Sequence, residues 1–483
     1  MIARSIIVGT GFSGLCMAIK LLEKGIEDFI ILEKSDRVGG TWRENTYPGA
    51  ECDVPSALYS YSFEPYPDWE YKWSLQPQIL KYINHVVDKY DLRKFIRFNH
   101  EVESARWDDT THIWTVTTTG SKTYQAQSLV MALGQLHHPS VPKFNGYESL
   151  SIPHFHSAQW DHSIDLRGKK VGVIGNAASA VQFIPEIAKE AGELYVFQRS
   201  ANWMLPKQDR LYKEWEKNLV RRFPLLLKLY RLKLWLLGGG LFFLMKAGYT
   251  LLRKFQQKAS INYIKEHISD PDKIEKLTPD YPMGAKRILF SDTYYQALNQ
   301  QQVHLITDDI QRMSGSMVMT TSSKISLDVL IFATGFKTNP FFLGLDIMGA
   351  GGKKIKEAWS HGPVNYLGMT TSGFPNFFMM YGPNTNLGHN SIIIMSEAQA
   401  GYIAQCIKPL SEGKFKSLDI KTSVMTDYFE KTQKRLNKMI WASVDKSWYK
   451  SADGTIPNNY PGRTMEYMRT TNHVNFDLYH VKY

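Results

Sequence analysis

The sequence predicts an α/β protein with two Rossmann-like dinucleotide-binding domains and a helical excursion. Two observations predict this fold: the short apolar runs 5–8 and 170–174 each lead directly into a small-residue turn and then a helix. Strand, turn, helix and strand, in that order, form the unit that binds dinucleotides. A chain of 483 residues is long enough for two or three such domains.

The first turn carries the full pattern of three glycines. Gly9 permits the tight turn, Gly11 permits close approach of a pyrophosphate, and Gly14 permits packing of the helix on the strand. Ser13 and the helix N-terminus add polar groups that suit phosphates. Glu33 closes the next strand, where a carboxylate accepts hydrogen bonds from a ribose diol. The first site is therefore predicted to hold the unphosphorylated ribose of FAD or NAD.

The second turn departs from that pattern. It opens with Gly175, but alanine stands at the second and third glycine positions, at Ala177 and Ala180. Alanine at the second position is expected to hold a pyrophosphate slightly farther from the backbone. Asn176 and Ser179 are the polar residues of this turn and are predicted to bind the cofactor.

The strand after the second turn ends in Arg199 and Ser200, where the first site has Glu33. A cation and a hydroxyl at this position suit the 2′-phosphate of NADP. The alternative is a solvated surface arginine at a strand end. The position of Arg199 within the strand–turn–helix–strand unit favours the NADP interpretation.

The net charge of +11 is concentrated in one segment. Residues 206–258 contain 13 Lys and Arg against 3 Asp and Glu, which is +10 and leaves about +1 for the rest. The segment is also rich in leucine and aromatic residues, so it could lie on an anionic membrane surface. We favour a helical excursion packed on its own domain, because Pro224 and residues 238–240 are expected to interrupt the helix. Nucleic-acid binding is not expected, since no recognition module accompanies the charge.

Cysteine content and hydropathy favour a cytoplasmic protein. The sequence has only Cys16, Cys52 and Cys406, too few and too scattered for a disulfide framework. A strand is predicted at 5–8, so we expect no targeting peptide, and no apolar run reaches the ~18 residues that a spanning helix needs. No metal site is predicted either, because His154 and His156 have no nearby residues to complete a ligand set.

Several short motifs together resemble those of the type I Baeyer–Villiger monooxygenases. They extend over nearly the whole chain and weaken only between 206 and about 280, and they lie at Gly39-Gly40-Thr41-Trp42, Tyr47-Pro48-Gly49, Asp53, 155–161, 281–287, 382–390, 447–449 and 460–462. The resemblance implies tightly bound FAD, NADPH as reductant and dioxygen as oxidant. It also implies insertion of one oxygen atom into a ketone, through a flavin peroxide, to give an ester or a lactone.

The resemblance assigns roles to four residues. Arg287 is the catalytic arginine beside the flavin, and Asp53 is the carboxylate that orients it. Lys286 joins Arg199 at the 2′-phosphate of NADP, and Trp448 lies on a loop that closes over the nicotinamide ribose. Beside these motifs, further cofactor-binding residues are predicted at Lys34, Gly40, Thr41, Trp42, Val102, Ala132, Asn386 and Leu387.

Arginine suits the predicted chemistry because it stays protonated even in a dry site and so stabilises a developing anion. A lone buried cation is costly, so a carboxylate partner such as Asp53 is expected. The alternatives are a surface ion pair for Arg287 and a turn residue for Asp53, which precedes Val54 and Pro55.

Three other functions remain open from the sequence. An oxygenase with the same cofactors could act on nitrogen or sulfur centres, and a flavin reductase could serve a protein partner. The third is a membrane-surface protein that uses residues 206–258. The oligomeric state and the substrate are not predicted.

The order of motifs predicts how the chain is divided. Residues 1–145 and 330–483 are expected to form the FAD-binding domain. Residues 146–329 are expected to form the NADP-binding domain, inserted between those two parts and carrying the excursion at 206–280.

Overall fold

The computed structural model describes residues 2–338, 341–444, 449–451 and 454–483. Its strands are β1 (Ile2–Val8), β2 (Phe29–Leu32), β3 (Ile96–Arg97), β4 (Val102–Asp108), β5 (Ile113–Thr118), β6 (Thr123–Met131), β7 (His154–His156), β8 (Lys170–Ile174), β9 (Glu193–Phe197), β10 (Met204–Leu205), β11 (Leu289–Phe290), β12 (Val303–Ile306), β13 (Ile310–Ser314), β14 (Met317–Thr320), β15 (Lys324–Ser326), β16 (Val329–Phe332), β17 (Asp346–Met348), β18 (Phe377–Met379), β19 (Ser417–Ile420) and β20 (Tyr479–Lys482).

The α-helices are α1 (Phe12–Glu23), α2 (Thr41–Glu44), α3 (Gln76–Lys89), α4 (Ala178–Ile187), α5 (Glu214–Arg222), α6 (Pro224–Met245), α7 (Thr250–His267), α8 (Pro271–Leu277), α9 (Tyr294–Leu298), α10 (Ile355–Ala358), α11 (Ile392–Ser411), α12 (Thr422–Leu436) and α13 (Thr464–Thr470). Short 3₁₀ helices span Leu92–Phe95, Tyr147–Ser149, Ser157–Gln159, Ala350–Gly352, Ile440–Ser443 and Phe476–Leu478.

The larger sheet combines strands from both ends of the chain. Its strand order is β17-β4-β5-β6-β1-β2-β3, and β18 also pairs with β6. The central strands β6, β1 and β2 are parallel, whereas β4, β5 and β6 form an antiparallel meander. The central strand β1 is buried over most of its length because α1 and α11 cover one face of the sheet.

The second sheet is entirely parallel, with the strand order β12-β9-β8-β16-β7. Its core is formed by α4, α9 and the apolar side chains of β8, β9 and β16. The last strand, β16, straddles the predicted boundary at 329/330, so the second sheet extends to Phe332. Both sheets thus contain the predicted strand–turn–helix–strand unit, at β1–α1–β2 and at β8–α4–β9.

Helices α5 to α8 form the excursion between β10 and β11. The predicted interruption at Pro224 is confirmed, because α5 ends at Arg222 and α6 begins at Pro224. The predicted interruption at residues 238–240 is wrong, because α6 runs unbroken through the glycines. Pro224 is the first residue of α6, where its missing N–H costs nothing. Gly238 serves close packing: a methyl group there would lie 2.8 Å from the carbonyl oxygen of His389. None of the helices among the described residues has the length and apolar character needed to cross a membrane.

Candidate active site

The first turn leaves room for a ligand over Gly11. Gly9 has a positive φ of 106°, and a methyl group on it would lie 2.7 Å from the carbonyl oxygen of Ala132. A methyl group on Gly11, by contrast, would meet only one atom within 4 Å, the Cα of Gly40 at 3.8 Å. Gly11 also precedes α1, whose N-terminus is capped by no side chain. This open space beside uncapped N–H groups fits a pyrophosphate.

Glu33 lies at the end of β2, beside the first turn, and its carboxylate is held by four donors. Thr10 donates its backbone N–H at 3.0 Å and its hydroxyl at 2.5 Å to one oxygen. The other oxygen accepts from the Ser35 N–H at 3.0 Å and from Arg43 at 2.9 Å. These bonds fix the buried carboxylate at the strand end, where the ribose of a bound dinucleotide is expected.

The run 40–42 packs directly against the first turn. A methyl group on Gly40 would lie 3.0 Å from the Cα of Gly11. Thr41 begins the short helix α2, and Trp42 is buried with its indole N–H donating to the Tyr59 hydroxyl at 3.1 Å. Trp42 and Tyr59 are thus fixed relative to each other beside the turn, in an edge-to-face pair 5.6 Å apart.

The remaining residues predicted to bind FAD lie on several elements. Ser13 shares a hydrogen bond of 3.0 Å with Ser396 of α11, and Lys34 forms an ion pair of 3.1 Å with Glu44. Val102 begins β4, close to β2 because the N–H of His100 donates to the Glu33 carbonyl at 2.8 Å. Ala132 directly follows β6 and lies beside Gly9, whereas Asn386 and Leu387 are buried in the segment before α11.

The second turn repeats the geometry of the first with different residues. Gly175 has a φ of 109°, and a methyl group on it would lie 2.4 Å from the carbonyl oxygen of Ala333. Ala177 precedes α4, whose N-terminus also lacks a side-chain cap. Asn176 donates to the carbonyl of Ser200 at 2.9 Å and so ties the turn to the end of β9. The uncapped helix again fits a phosphate-bearing ligand.

Ser179 lies in the first turn of α4. It lies close to the hydroxyl of Tyr47, which donates to the Gln182 side chain at 2.8 Å. Burial raises the pKa of Tyr47 to about 12, so this side chain stays neutral. Tyr47 belongs to the run 40–53 of the first site, and it therefore connects the two sites.

Arg199 and Ser200 lie close to Lys286, although Lys286 comes from a distant part of the sequence. The Lys286 ammonium lies 3.3 Å from the Ser200 hydroxyl and 4.3 Å from the centre of the Tyr281 ring. Burial and the neighbouring positive charge of Arg199 lower the pKa of Lys286. Two cations and a hydroxyl around one point would be stabilised by an anion such as a phosphate.

Arg287 forms an ion pair with Asp53, and the two atoms Nη2 and Oδ2 are 2.5 Å apart. The side chains are 40% and 22% exposed, so the pair faces an opening and is not sealed in the core. The carboxylate of Asp53 raises the pKa of Arg287 above its ordinary value, and Tyr449 and Tyr381 are close enough to add to this effect. The guanidinium is therefore permanently charged.

Lys286 and Arg287 place adjacent cations in two different environments. Lys286 belongs to the cluster at the end of β9, whereas Arg287 is paired with Asp53 of the run that packs on the first turn. The Arg287–Asp53 pair therefore lies at the junction of the two dinucleotide sites. Trp448 lies outside the described residues.

Sequence reasoning missed three ion pairs close to these residues. Lys207 pairs with Glu51, two positions before Asp53, and the Lys207 side chain is almost fully buried. Arg43 bridges Glu33 and Glu44 at 2.9 and 2.8 Å. Arg43 directly follows the motif at 39–42, but nothing in the sequence links Lys207 to Glu51.

Two dinucleotide-binding turns that meet at one arginine–aspartate pair define an oxidoreductase with two nucleotide sites. Comparison with known proteins agrees: residues 6–221 match the family described as pyridine nucleotide-disulphide oxidoreductase. A Baeyer–Villiger monooxygenase of Pseudomonas aeruginosa is 39% identical over 98% of this chain and 90% of its own. The chain belongs to the Baeyer–Villiger monooxygenase family.

Solved structures lead to the same family. An oxidized steroid monooxygenase bound to NADP superimposes with a TM-score of 0.89, at 29% identity and with both chains fully covered. A complex of the monooxygenase OTEMO with FAD and NADP also gives 0.89, at 27% identity and 99% coverage of both chains. The predicted family, the two-dinucleotide α/β fold and the prediction of an FAD- and NADPH-dependent monooxygenase are confirmed.

Proposed function

We propose that this enzyme oxygenates a ketone to an ester or a lactone, with FAD at the first turn and NADPH at the second. The observation that carries the proposal is the Arg287–Asp53 ion pair at the junction of the two sites. A ketone oxygenation develops negative charge on oxygen, and a permanent cation at the reacting centre stabilises that charge. In this assignment residues 1–145 and 330–483 form the FAD domain, and 146–329 form the NADP domain.

The backbone of the first site suits FAD. Reduced FAD supplies the electrons that activate dioxygen. Gly11 and the N-terminus of α1 bind the pyrophosphate, and Glu33 binds the adenosine ribose. Four donors fix the Glu33 carboxylate at the end of β2, so a ribose hydroxyl that donates to it would replace one of them, such as the Thr10 hydroxyl.

At the second site, the cation pair selects the reductant. Arg199 and Lys286 hold the 2′-phosphate of NADPH, and Ser200 donates its hydroxyl. A 2′-hydroxyl, as in NADH, would leave these two like charges without a counter-ion. Burial and Arg199 lower the pKa of Lys286, and a phosphate beside the ammonium would oppose both effects.

Asp53 orients Arg287, so that the guanidinium presents its remaining N–H groups to the opening. A guanidinium offers five donors, of which the carboxylate of Asp53 occupies only part. The remaining donors are available to the ketone oxygen and to the oxygen atom that is transferred.

Arg287→Ala tests this role. We expect NADPH to be consumed, but lactone formation from cyclohexanone to fall by about a hundredfold or more, with hydrogen peroxide released in its place. Lactone is measured by mass spectrometry, and peroxide is measured in parallel. Arg106→Ala is the matched control, since Arg106 forms a comparably exposed ion pair of 2.7 Å with Asp346 far from both turns.

Two results would contradict the proposal in different ways. If Arg287→Ala forms lactone at the rate of the unmodified enzyme, the arginine has no catalytic role. If the unmodified enzyme converts thioanisole to its sulfoxide but leaves a panel of ketones untouched, the substrate assignment fails while the cofactor assignment stands.

A further inference from the structure

Helix α6 has two apolar faces, and only one of them is buried. The inner face carries Leu227, Phe242 and Met245, which are buried against the body of the protein. The outer face carries seven leucines that are 37–65% exposed: Leu225, Leu226, Leu229, Leu232, Leu236, Leu237 and Leu241. A surface helix of a protein in water normally exposes polar residues on its outer face, so the leucines indicate a surface made for an apolar environment.

The inner face holds α6 in a fixed position. Arg231 donates to the carbonyls of Ala57 and Leu58 at 2.9 and 3.2 Å, and Trp235 donates to the Thr464 hydroxyl at 2.9 Å. Gly238 permits contact with the backbone at His389. The outer leucines are therefore held outward by a rigid support, and no rotation of α6 could bury them without breaking these bonds.

The neighbouring helices α5 and α7 also expose apolar side chains. On α5, which packs on α6, Trp215 is exposed, and Phe223 is exposed at the junction between the two helices. On α7, Leu251 and Phe255 are among the most exposed apolar residues of the protein. Aromatic residues at the edge of an apolar surface are typical of the interface between lipid and water. We call the exposed apolar residues between Trp215 and Phe255, most of them leucines of α6, the outer leucine face.

Unpaired cations are interspersed with these apolar residues. Lys228 and Lys233 lie on α6, and Lys254 and Lys258 lie on α7; all four are exposed. In the part of the chain that the structure describes, none of the four forms an ion pair. The segment 206–258 has a net charge of +10, whereas the rest of the chain is close to neutral.

We propose that the outer leucine face binds the surface of an anionic lipid bilayer, with α6 lying parallel to the membrane plane. The leucines would enter the boundary between head groups and acyl chains, and the four lysines would contact lipid phosphates. A second copy of the chain is a poorer partner, because it would bring an equal positive charge against this one. The proposal adds a membrane contact to the enzyme and does not depend on which substrate it oxygenates.

Vesicle co-sedimentation of the FAD-loaded enzyme tests the proposal. We expect binding to phosphatidylcholine vesicles that contain phosphatidylglycerol, and weaker binding to vesicles of phosphatidylcholine alone. Binding to the anionic vesicles should fall as the salt concentration rises, since screening weakens surface charges. Turnover of a water-soluble ketone, measured without vesicles, confirms that each variant is folded.

Two double variants separate charge from apolar contact. Lys228→Gln with Lys233→Gln should weaken binding to anionic vesicles about 25-fold, at about fivefold for each lysine. Leu229→Gln with Leu236→Gln should weaken it about tenfold or more, because two exposed leucines no longer leave water. The control is Lys122→Gln with Lys324→Gln, which removes two exposed lysines far from α6 and should leave binding unchanged.

Three results would overturn the proposal. The first is failure of the unmodified enzyme to sediment with anionic vesicles. The second is equal binding of both lysine double variants, which would show that the face has no special role. The third is a dimer in sedimentation velocity that the leucine variant dissociates, which would assign the face to a second copy.

Discussion

The two dinucleotide turns begin alike and then diverge. Gly9 and Gly175 have φ values of 106° and 109°, and a methyl group on either would lie within 2.7 Å of a carbonyl oxygen from the neighbouring strand. Glycine is therefore required at the first position of both turns. At the third position a methyl group on Gly14 would lie 2.0 Å from the Gly9 carbonyl oxygen, yet the second turn holds Ala180, fully buried.

The difference shows that α1 and α4 approach their strands to different depths. Helix α1 comes so close to the turn that a single methyl group is excluded, whereas α4 must stand off to accommodate Ala180. At the second position, Gly11 and Ala177 have φ values of −75° and −84°, which any residue can adopt. The backbone thus does not require glycine at Gly11, and the reason for glycine there is the space that a ligand occupies.

The largest expected effect comes from removing the close packing of the first turn. Gly14→Ala should destabilise the protein by about 1–3 kcal/mol, because the new methyl group meets a backbone oxygen that cannot move freely. It should also lower the flavin content, since α1 must withdraw from the pyrophosphate. Thermal unfolding and the flavin absorbance of the purified protein measure the two effects.

The reverse substitution in the second turn is the control. Ala180→Gly should cost about 1 kcal/mol or less, the usual penalty for glycine in a helix, with flavin content unchanged. Equal losses of stability and flavin in both variants would contradict the difference in packing depth.

Sequence motifs predicted only part of these two sites. The order of strand, glycine turn and helix indicated both sites, and the residues at the ends of β2 and β9 followed from the same pattern. The Arg287–Asp53 pair needed a family resemblance, because the two residues come from different parts of the chain and either could be an ordinary surface residue. The continuity of α6 was missed because glycine weakens a helix, and only the contact of Gly238 with His389 explains it.

The next largest contrast is in charge: Arg199 follows β9 where Glu33 follows β2. Arg199→Ala should raise the Michaelis constant for NADPH about thirtyfold, which corresponds to the roughly 2 kcal/mol of a hydrogen bond to a charged group. The constant for NADH should change by about twofold or less, because NADH has no 2′-phosphate. Steady-state kinetics with the two reductants measure this ratio.

Arg167→Ala is the control for Arg199→Ala. Arg167 is an exposed arginine shortly before β8, paired with Asp165 at 2.9 Å, and its loss should change neither constant. Equal increases for NADPH and NADH in Arg199→Ala would show that Arg199 does not bind the 2′-phosphate.

The smallest expected effect concerns the second position of the turn, where Ala177 stands in place of the glycine found at Gly11. Ala177→Gly should lower the dissociation constant of NADP a few-fold, because a pyrophosphate could approach the N-terminus of α4 more closely. The stability should hardly change, since glycine and alanine both adopt this backbone conformation before a helix. Calorimetric titration of the FAD-loaded enzyme with NADP measures the change. Weaker or unchanged NADP binding would show that the methyl group does not limit the approach, and that the two turns bind phosphate at the same depth despite their different helices.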